Sequence, residues 1–257
     1  MTSMHGPEID AHRKTPVFET EFFLTAGESN ARGEMPVSLI AERLIEVATR
    51  HANLLGIGFA TLSPLNVAWV LVRLLIEMDS VPRINQTYRI TTWIESWKRF
   101  YSIRCFRISD DEGRTLGWGK TVWATIDTNR RSLADVSYLG SEYMLDHKMT
   151  CPLEMIRKHP MDKLVADSEI TFRFTDLDFN RHVNSVKYID HILNLWPLEH
   201  FDRYRVKRFD IAYRHECLCG QTVQLRKGDD ESGTAVAMFR DDECVVAALI
   251  GFVDDPV

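Results

Sequence analysis

Between residues 176 and 182 the chain reads Asp-Leu-Asp-Phe-Asn-Arg-His, so Asp176, Asp178, Asn180 and His182 fall on every second position. In an extended segment successive side chains face opposite ways, which puts these four on one face and Leu177, Phe179 and Arg181 on the other. A face carrying carboxylate, carboxamide and imidazole holds the groups that acid–base chemistry uses. The plain structural alternative is a polar turn, in which Asp and Asn cap the helix-like run that follows. A second cluster, His215-Glu216-Cys217-Leu218-Cys219, closes an apolar run. Glu216 is a candidate base, because a carboxyl group in apolar surroundings has a displaced pKa. His215, Cys217 and Cys219 offer H-x-C-x-C with no second Cys/His pair nearby; structural zinc takes four ligands, so no metal is expected.

The elements that must position these residues are legible in the pattern. Strands are expected at 17–25, 67–78, 87–97, 100–109 and 115–127, rich in Val, Ile, Thr, Trp and Tyr. A helix is expected over 38–55, with Leu39, Ile40, Leu44, Ile45, Val47, Ala48 and Ala52 on a broad apolar stripe and Gly56 as its stop. The order then repeats: a strand at 167–175, a helix at 185–195 with Asn184 as N-cap, and strands at 204–214, 221–227, 234–240 and 244–253. Residues 137–166, with Pro152 and Pro160, break the pattern and read as a linker with a helical turn near 152–158. Two units of strand, helix and sheet make an α+β fold, each sheet wrapped around a helix, with a groove between the helices. The boundaries expected are 1–140, a linker at 141–166, and 167–257.

Composition excludes several function classes. With 45% hydrophobic and 26% charged residues the chain is ordinary for a globular protein. A net charge of -6 argues against nucleic acid as a partner. Five scattered cysteines read as free thiols of a reducing compartment. The N-terminus MTSMHGPEIDAHRK resembles neither a signal nor a transit peptide, and no run approaches a membrane span, so a cytoplasmic location is expected. Gly117-Trp118-Gly119-Lys120-Thr121 lacks the spacing of a phosphate loop, and strand rather than helix follows it. Trp69, Trp93 and Trp123 are candidates to fill a core or to narrow a long apolar pocket. The basic run Arg203 to Arg208, which includes Arg205 and Lys207, reads as a solvated strand or as a dock for an acidic partner.

Asp178-Phe179-Asn180-Arg181-His182-Val183-Asn184, followed by Val186-Lys187-Tyr188, closely resembles a motif of the acyl-ACP thioesterases, plant and bacterial enzymes that end fatty-acid synthesis. Tyr213-Arg214-His215-Glu216-Cys217 resembles that family's second motif. Trp97, Phe106-Arg107-Ile108 and Ala124-Thr125-Ile126-Asp127 also fit, so the resemblance runs over about residues 17–253. It implies a tandem, or double, hotdog fold whose first unit shapes the acyl pocket and whose second is catalytic, with no cofactor. Carried over, the catalytic set is Asp178, Asn180, His182 and Glu216. In the favoured route Glu216 with His182 activates water, Asn180 orients water or the thioester carbonyl, and N–H groups opening the 184–195 helix receive the developing oxyanion. The alternative makes Cys217 the nucleophile and His182 its base. The implied partner is an acidic acyl carrier protein bearing a fatty acyl chain, docked by Arg181, Lys187, Arg203, Arg205, Lys207 and Arg208. Competing readings are an acyl-CoA thioesterase, a hydratase, and a non-catalytic acyl-binding protein. A double hotdog contains its own pseudo-dimer, so a homodimer is optional.

Overall fold

A computed structural model describes residues 15–140 and 144–256 of the chain. The leader expectation concerns residues 1–14, which lie outside the described residues. Among the described residues no helix is long and apolar enough to cross a membrane.

The first half is β1 (Val17–Phe23), α1 (Val37–Leu55), α2 (Phe59–Leu62), β2 (Val67–Met78), β3 (Thr87–Trp97), β4 (Tyr101–Asp110), β5 (Thr115–Asp127) and the two-residue β6 (Ser132–Leu133). The second is β7 (Val165–Thr171), α3 (Ser185–Leu193), α4 (Leu198–Phe201), β8 (Tyr204–Tyr213), β9 (Thr222–Asp230), β10 (Gly233–Arg240) and β11 (Glu243–Asp254). All the strands form one sheet, ordered β1-β3-β4-β5-β2-β8-β11-β10-β9-β7, with β6 on β5. Read from either edge inward the order is the same: first strand, third, fourth, fifth, second. The repeat inferred from the order of elements is therefore a repeat of topology. The halves join where β2 and β8 run antiparallel, Arg73 opposite Ala212 and Glu77 opposite Arg208.

The helices fill the concave face. α1 buries Ile40, Ala41, Leu44, Val47, Ala48, His51 and Leu55, and Gly56 ends it at φ +77°, donating to the Ala52 and Asn53 carbonyls. Burying a side chain such as Leu44 is worth about 2 kcal/mol. α1 lies so close to β5 that a Cβ on Gly119 would sit 2.5 Å from Leu44 Cδ1. In α3 the Asn184 carboxamide oxygen accepts from Val186 N at 3.0 Å, the cap the sequence announced. α1 and α3 pack against each other, so direct helix contact takes the place of the expected groove.

The expected helical turn at 152–158 does not form. The segment runs extended across the outer face, because cations of the sheet take its carbonyls. Lys120 Nζ donates to Leu153 O at 3.3 Å, Arg208 Nη2 to Glu154 O at 2.5 Å, and Arg73 Nη1 to Ile156 O at 2.7 Å. Arg73 also holds the fully buried Asp210 through Nε and Nη2, each at 2.8 Å, and His159 Nε2 lies 3.2 Å from the same carboxylate. One buried cluster thus ties both halves and their linker together at the seam.

Candidate active site

The 176–182 stretch is a tight turn and not an extended strand, so the expected four-residue face is corrected. Leu177 bridges Val183, and Asp178 N donates to His182 O at 2.8 Å. Arg181 takes the left-handed conformation at φ +66° to close the turn. Asp178 organises it from inside: Oδ1 accepts from Asn180 N at 2.8 Å and from His182 N at 3.1 Å. Turn formation by an aspartate won over alternation because each bond satisfies a backbone donor locally. Asp176 leaves the group altogether. Nearly buried, it accepts from Arg173 N and pairs with His191 Nε2 at 3.0 Å, at the far end of α3.

The second cluster lies alongside. His182 forms a bridge with Leu218, and Val183 N donates to Cys217 O at 2.8 Å, so residues 182–183 and 217–218 make a miniature ladder. Alternation then separates neighbours in the second cluster. Glu216 and Leu218 face outward, whereas Cys217 is fully buried in the core against Tyr188. His182 Nε2 sits 3.4 Å from Glu216 Oε2. Burial pushes the Cys217 thiol pKa up, which disfavours the thiolate that a nucleophile requires. The Asn180 carboxamide is exposed and makes no hydrogen bond to the protein among the described residues.

Arg131 was not found by sequence reasoning. It follows β5, at φ +51°, and reaches from the first half to donate through Nη2 to Glu216 Oε2 at 2.8 Å. The same carboxylate oxygen therefore meets His182 and Arg131. No spacing rule signals a contact between residues 85 apart. Arg240 Nη1 fixes the Glu216 backbone from the other side, donating to its carbonyl at 2.9 Å. A second crossing contact sets Phe59 of α2 edge-on to Phe179, ring centres 6.0 Å apart.

The N–H groups expected to receive an oxyanion are largely engaged. Val183, Asn184, Val186 and Lys187 donate to Cys217 O, Asp176 O, Asn184 Oδ1 and Asn184 O. Beside the turn lies an open depression of about 790 Å³, lined by Phe174, Leu177, Asp178, Phe179, Arg181 and Leu218. Phe174 and Phe179 are 84% and 79% exposed there, an apolar surface that invites a ligand.

The other expected site residues are scattered. Trp123 is on the helix side of β5 and packs against the main core, its Nε1 donating to Thr121 Oγ1 at 2.9 Å. Trp69 lies at the end of α1, donating to Ile57 O at 2.9 Å. Trp93 is fully buried, but its cross-strand neighbour Cys105 alternates with Phe106, which faces α1, so Trp93 lies on the opposite face, away from the helix-lined interior. Arg205 donates to the carbonyls of Met78 and Asp79, and Lys207 pairs with Asp79. They stitch β8 to the end of β2, and Arg205 lies eight residues along the strand from Tyr213, roughly 26 Å from the end that leads to Glu216.

Comparison with known proteins agrees with this architecture. Residues 15–138 match the acyl-ACP thioesterase N-terminal domain and residues 160–244 its C-terminal domain. The crystal structure of an acyl-ACP thioesterase from Bacteroides thetaiotaomicron superposes with a TM-score of 0.86 at 29% identity, over 95% of this chain and 100% of that one. The 12:0-ACP thioesterase of Umbellularia californica shares the fold, with a TM-score of 0.75 at 19% identity over 96% and 98% of the two chains. A chloroplastic palmitoyl-acyl carrier protein thioesterase of Arabidopsis thaliana is 28% identical over 78% of this chain and 52% of its own length. The oleoyl-acyl carrier protein thioesterase 1 of the same plant is 28% identical over 78% and 60%. The chain thus spans between half and two thirds of these plant relatives. With both domains matched in order along a sheet that repeats itself about the β2–β8 seam, the chain belongs to the acyl-ACP thioesterase family, and its fold is the double hotdog.

Proposed function

We propose that this protein hydrolyses fatty acyl-ACP to free fatty acid and carrier, with the chemistry at Glu216, His182 and Asn180. The observation that carries it is the His182–Glu216 pair at 3.4 Å, with an exposed, unbonded Asn180 carboxamide two residues before His182, in segments whose neighbouring residues Asp178, Phe179, Arg181 and Leu218 line an apolar depression. Water held by the pair attacks the thioester carbonyl carbon and yields its proton to them. Asn180 donates to the carbonyl oxygen, since most of the neighbouring backbone donors are engaged. The tetrahedral intermediate then expels the carrier's thiolate, which takes the proton back from His182. The acyl-bearing arm enters over Phe174, Phe179 and Leu218. Arg181, at the rim, meets the acidic carrier; Arg205 and Lys207, neutralised at the far end of β8, do not. In this reading residues 1–140 shape the acyl slot, 141–166 bridge, and 167–257 carry the catalytic groups, all in the cytoplasm.

The test is thioester hydrolysis on matched panels of acyl-ACP and acyl-CoA, from medium to long chains. Turnover on acyl-ACP supports the proposal. Turnover confined to acyl-CoA keeps the chemistry and removes the carrier, and tight acyl binding with no turnover removes the enzyme.

Substitutions at two positions probe the roles assigned. Asp178→Asn keeps Oδ1 as an acceptor for both backbone donors, so activity falls less than about tenfold, whereas Asp178→Ala loses the turn and about a hundredfold in kcat. Equal losses for both would show that the charge itself does chemistry. Arg131→Gln removes the cation on Glu216, and kcat drops about tenfold with KM unchanged, Arg131→Lys recovering part of the loss. An equal loss in Arg131→Gln and Arg131→Lys, accompanied by a lower unfolding temperature, would leave Arg131 a merely structural tie.

A further inference from the structure

Away from this site two cysteines meet on the outer face of the first half. Cys105, fully buried in the middle of β4, lies opposite Lys120 of β5. Cys151 opens the extended segment that crosses that face, and its Sγ lies 3.9 Å from the Gly119 carbonyl, one residue from Lys120. Directly opposed residues of adjacent strands stand only about 5 Å apart, so Cys105 and Cys151 approach the same stretch of β5 from its outer side, and each thiol acts on the other's proton affinity. Lys120 Nζ, between Glu95 Oε2 at 2.9 Å and Leu153 O at 3.3 Å, holds the segment in place above them. None of these residues belongs to the hydrolytic site.

We propose that Cys105 and Cys151 are a reversible modification site: a hydroperoxide oxidises them to a disulfide that pins the segment joining the two halves to the first half's sheet. The division of roles follows from the surroundings. The hydrogen bond from Cys105, followed by the Leu153 N–H and the Lys120 charge, outweighs burial and brings the Cys151 thiol down to about 7. Cys105, donor to that sulfur and buried, is pushed up and stays a thiol. Cys151 is half-buried, so solvent reaches it first. Its thiolate attacks the peroxide, the O–O bond breaks, and an alcohol or water leaves, giving a sulfenic acid on Cys151. Cys105 sulfur then attacks Cys151 sulfur, the S–S bond forms, and the hydroxyl leaves as water with the Cys105 proton. Two electrons pass from the thiols to the peroxide.

The experiment titrates the reduced full-length protein with hydrogen peroxide at neutral pH, unfolds it, alkylates the remaining thiols and maps the peptides. The expected result is a Cys105–Cys151 linked peptide, with two thiols lost to alkylation before the exposed Cys219 reacts, and both recovered with dithiothreitol. Cys151→Ser, a change at a half-buried position, abolishes the link and leaves Cys105 alkylatable. Oxidation of Cys151 to sulfinic acid with Cys105 still free, or disulfides through Cys219 alone, would overturn the proposal. The first readout needs no variant, so a folding defect in a substituted protein does not obscure it.

Discussion

His182→Ala lowers kcat on acyl-ACP by about 10²- to 10⁴-fold, the range general acid–base groups supply, and leaves KM nearly unchanged. The ring is well placed for this. Its backbone is held by the Asp178 carboxylate at 3.1 Å and by the bridge to Leu218, and its Nε2 faces Glu216. It is not a core residue, so removing it costs little stability, and unchanged thermal unfolding is the control. Glu216→Gln produces a loss of the same order. The double variant loses little more than either alone, because two groups sharing one proton transfer act as a unit. Cys217→Ala separates the two routes. If the thiol attacked the thioester, the variant would be as dead as His182→Ala. Its full burial and raised pKa predict instead a loss of no more than a few-fold in kcat, with a modest stability cost from the small void. A Cys217→Ala variant as inactive as His182→Ala would reverse the assignment.

The contrast between what pattern reveals and what it hides is clear at particular residues. Strand and helix positions were legible because their burial is periodic: the edges of β2, β3 and β5 fall where Val, Ile, Trp and Thr runs stop, and Gly56 and Asn184 mark helix ends by known backbone chemistry. The repeat was legible in element order although the halves share little sequence. The chemistry of 176–182 was legible by residue type but not by geometry, since alternation and an aspartate-built turn fit the same letters. Trp93 was out of reach for a related reason. Either face of β3 buries a tryptophan when the linker covers the outer side as well as α1 the inner one. Arg131 and the Arg73–Asp210 pair were hidden altogether, because they depend on strands brought side by side from opposite halves of the chain. Arg205 and Lys207 looked like a docking patch only while their partner Asp79 was out of view.

That seam yields the other large effect. Arg73→Met destabilises the protein by about 3–5 kcal/mol, because it strands a buried carboxylate. Asp210 has no exposed side-chain surface and Arg73 only 14%, so solvent screens the pair little. Burial raises the Asp210 pKa, but the hydrogen bonds from His159 and Arg73, with their charges, outweigh it and hold the carboxyl below its ordinary value. A depressed folded pKa contributes stability that is fully present above the unfolded value of about 3.9 and is lost as pH falls through the folded value. In Arg73→Met burial is less opposed and the folded value rises, so ionised Asp210 becomes a liability at neutral pH. Urea denaturation across pH reads both effects: the gap between wild type and variant is widest at neutral pH, starts to narrow as pH falls through the variant's raised Asp210 value and continues to narrow through the lowered value of the wild type. Arg73→Met/Asp210→Leu, which removes both charges, recovers most of the loss. A gap under about 1 kcal/mol at neutral pH would reduce the pair to the worth of a surface bridge. The consequence reaches the active site, because Arg131 and Glu216 meet across this same seam. A variant that loosens it loses turnover at temperatures where the helices are still folded, and that lag between activity and ellipticity is the sign that the two halves are aligned from their buried junction.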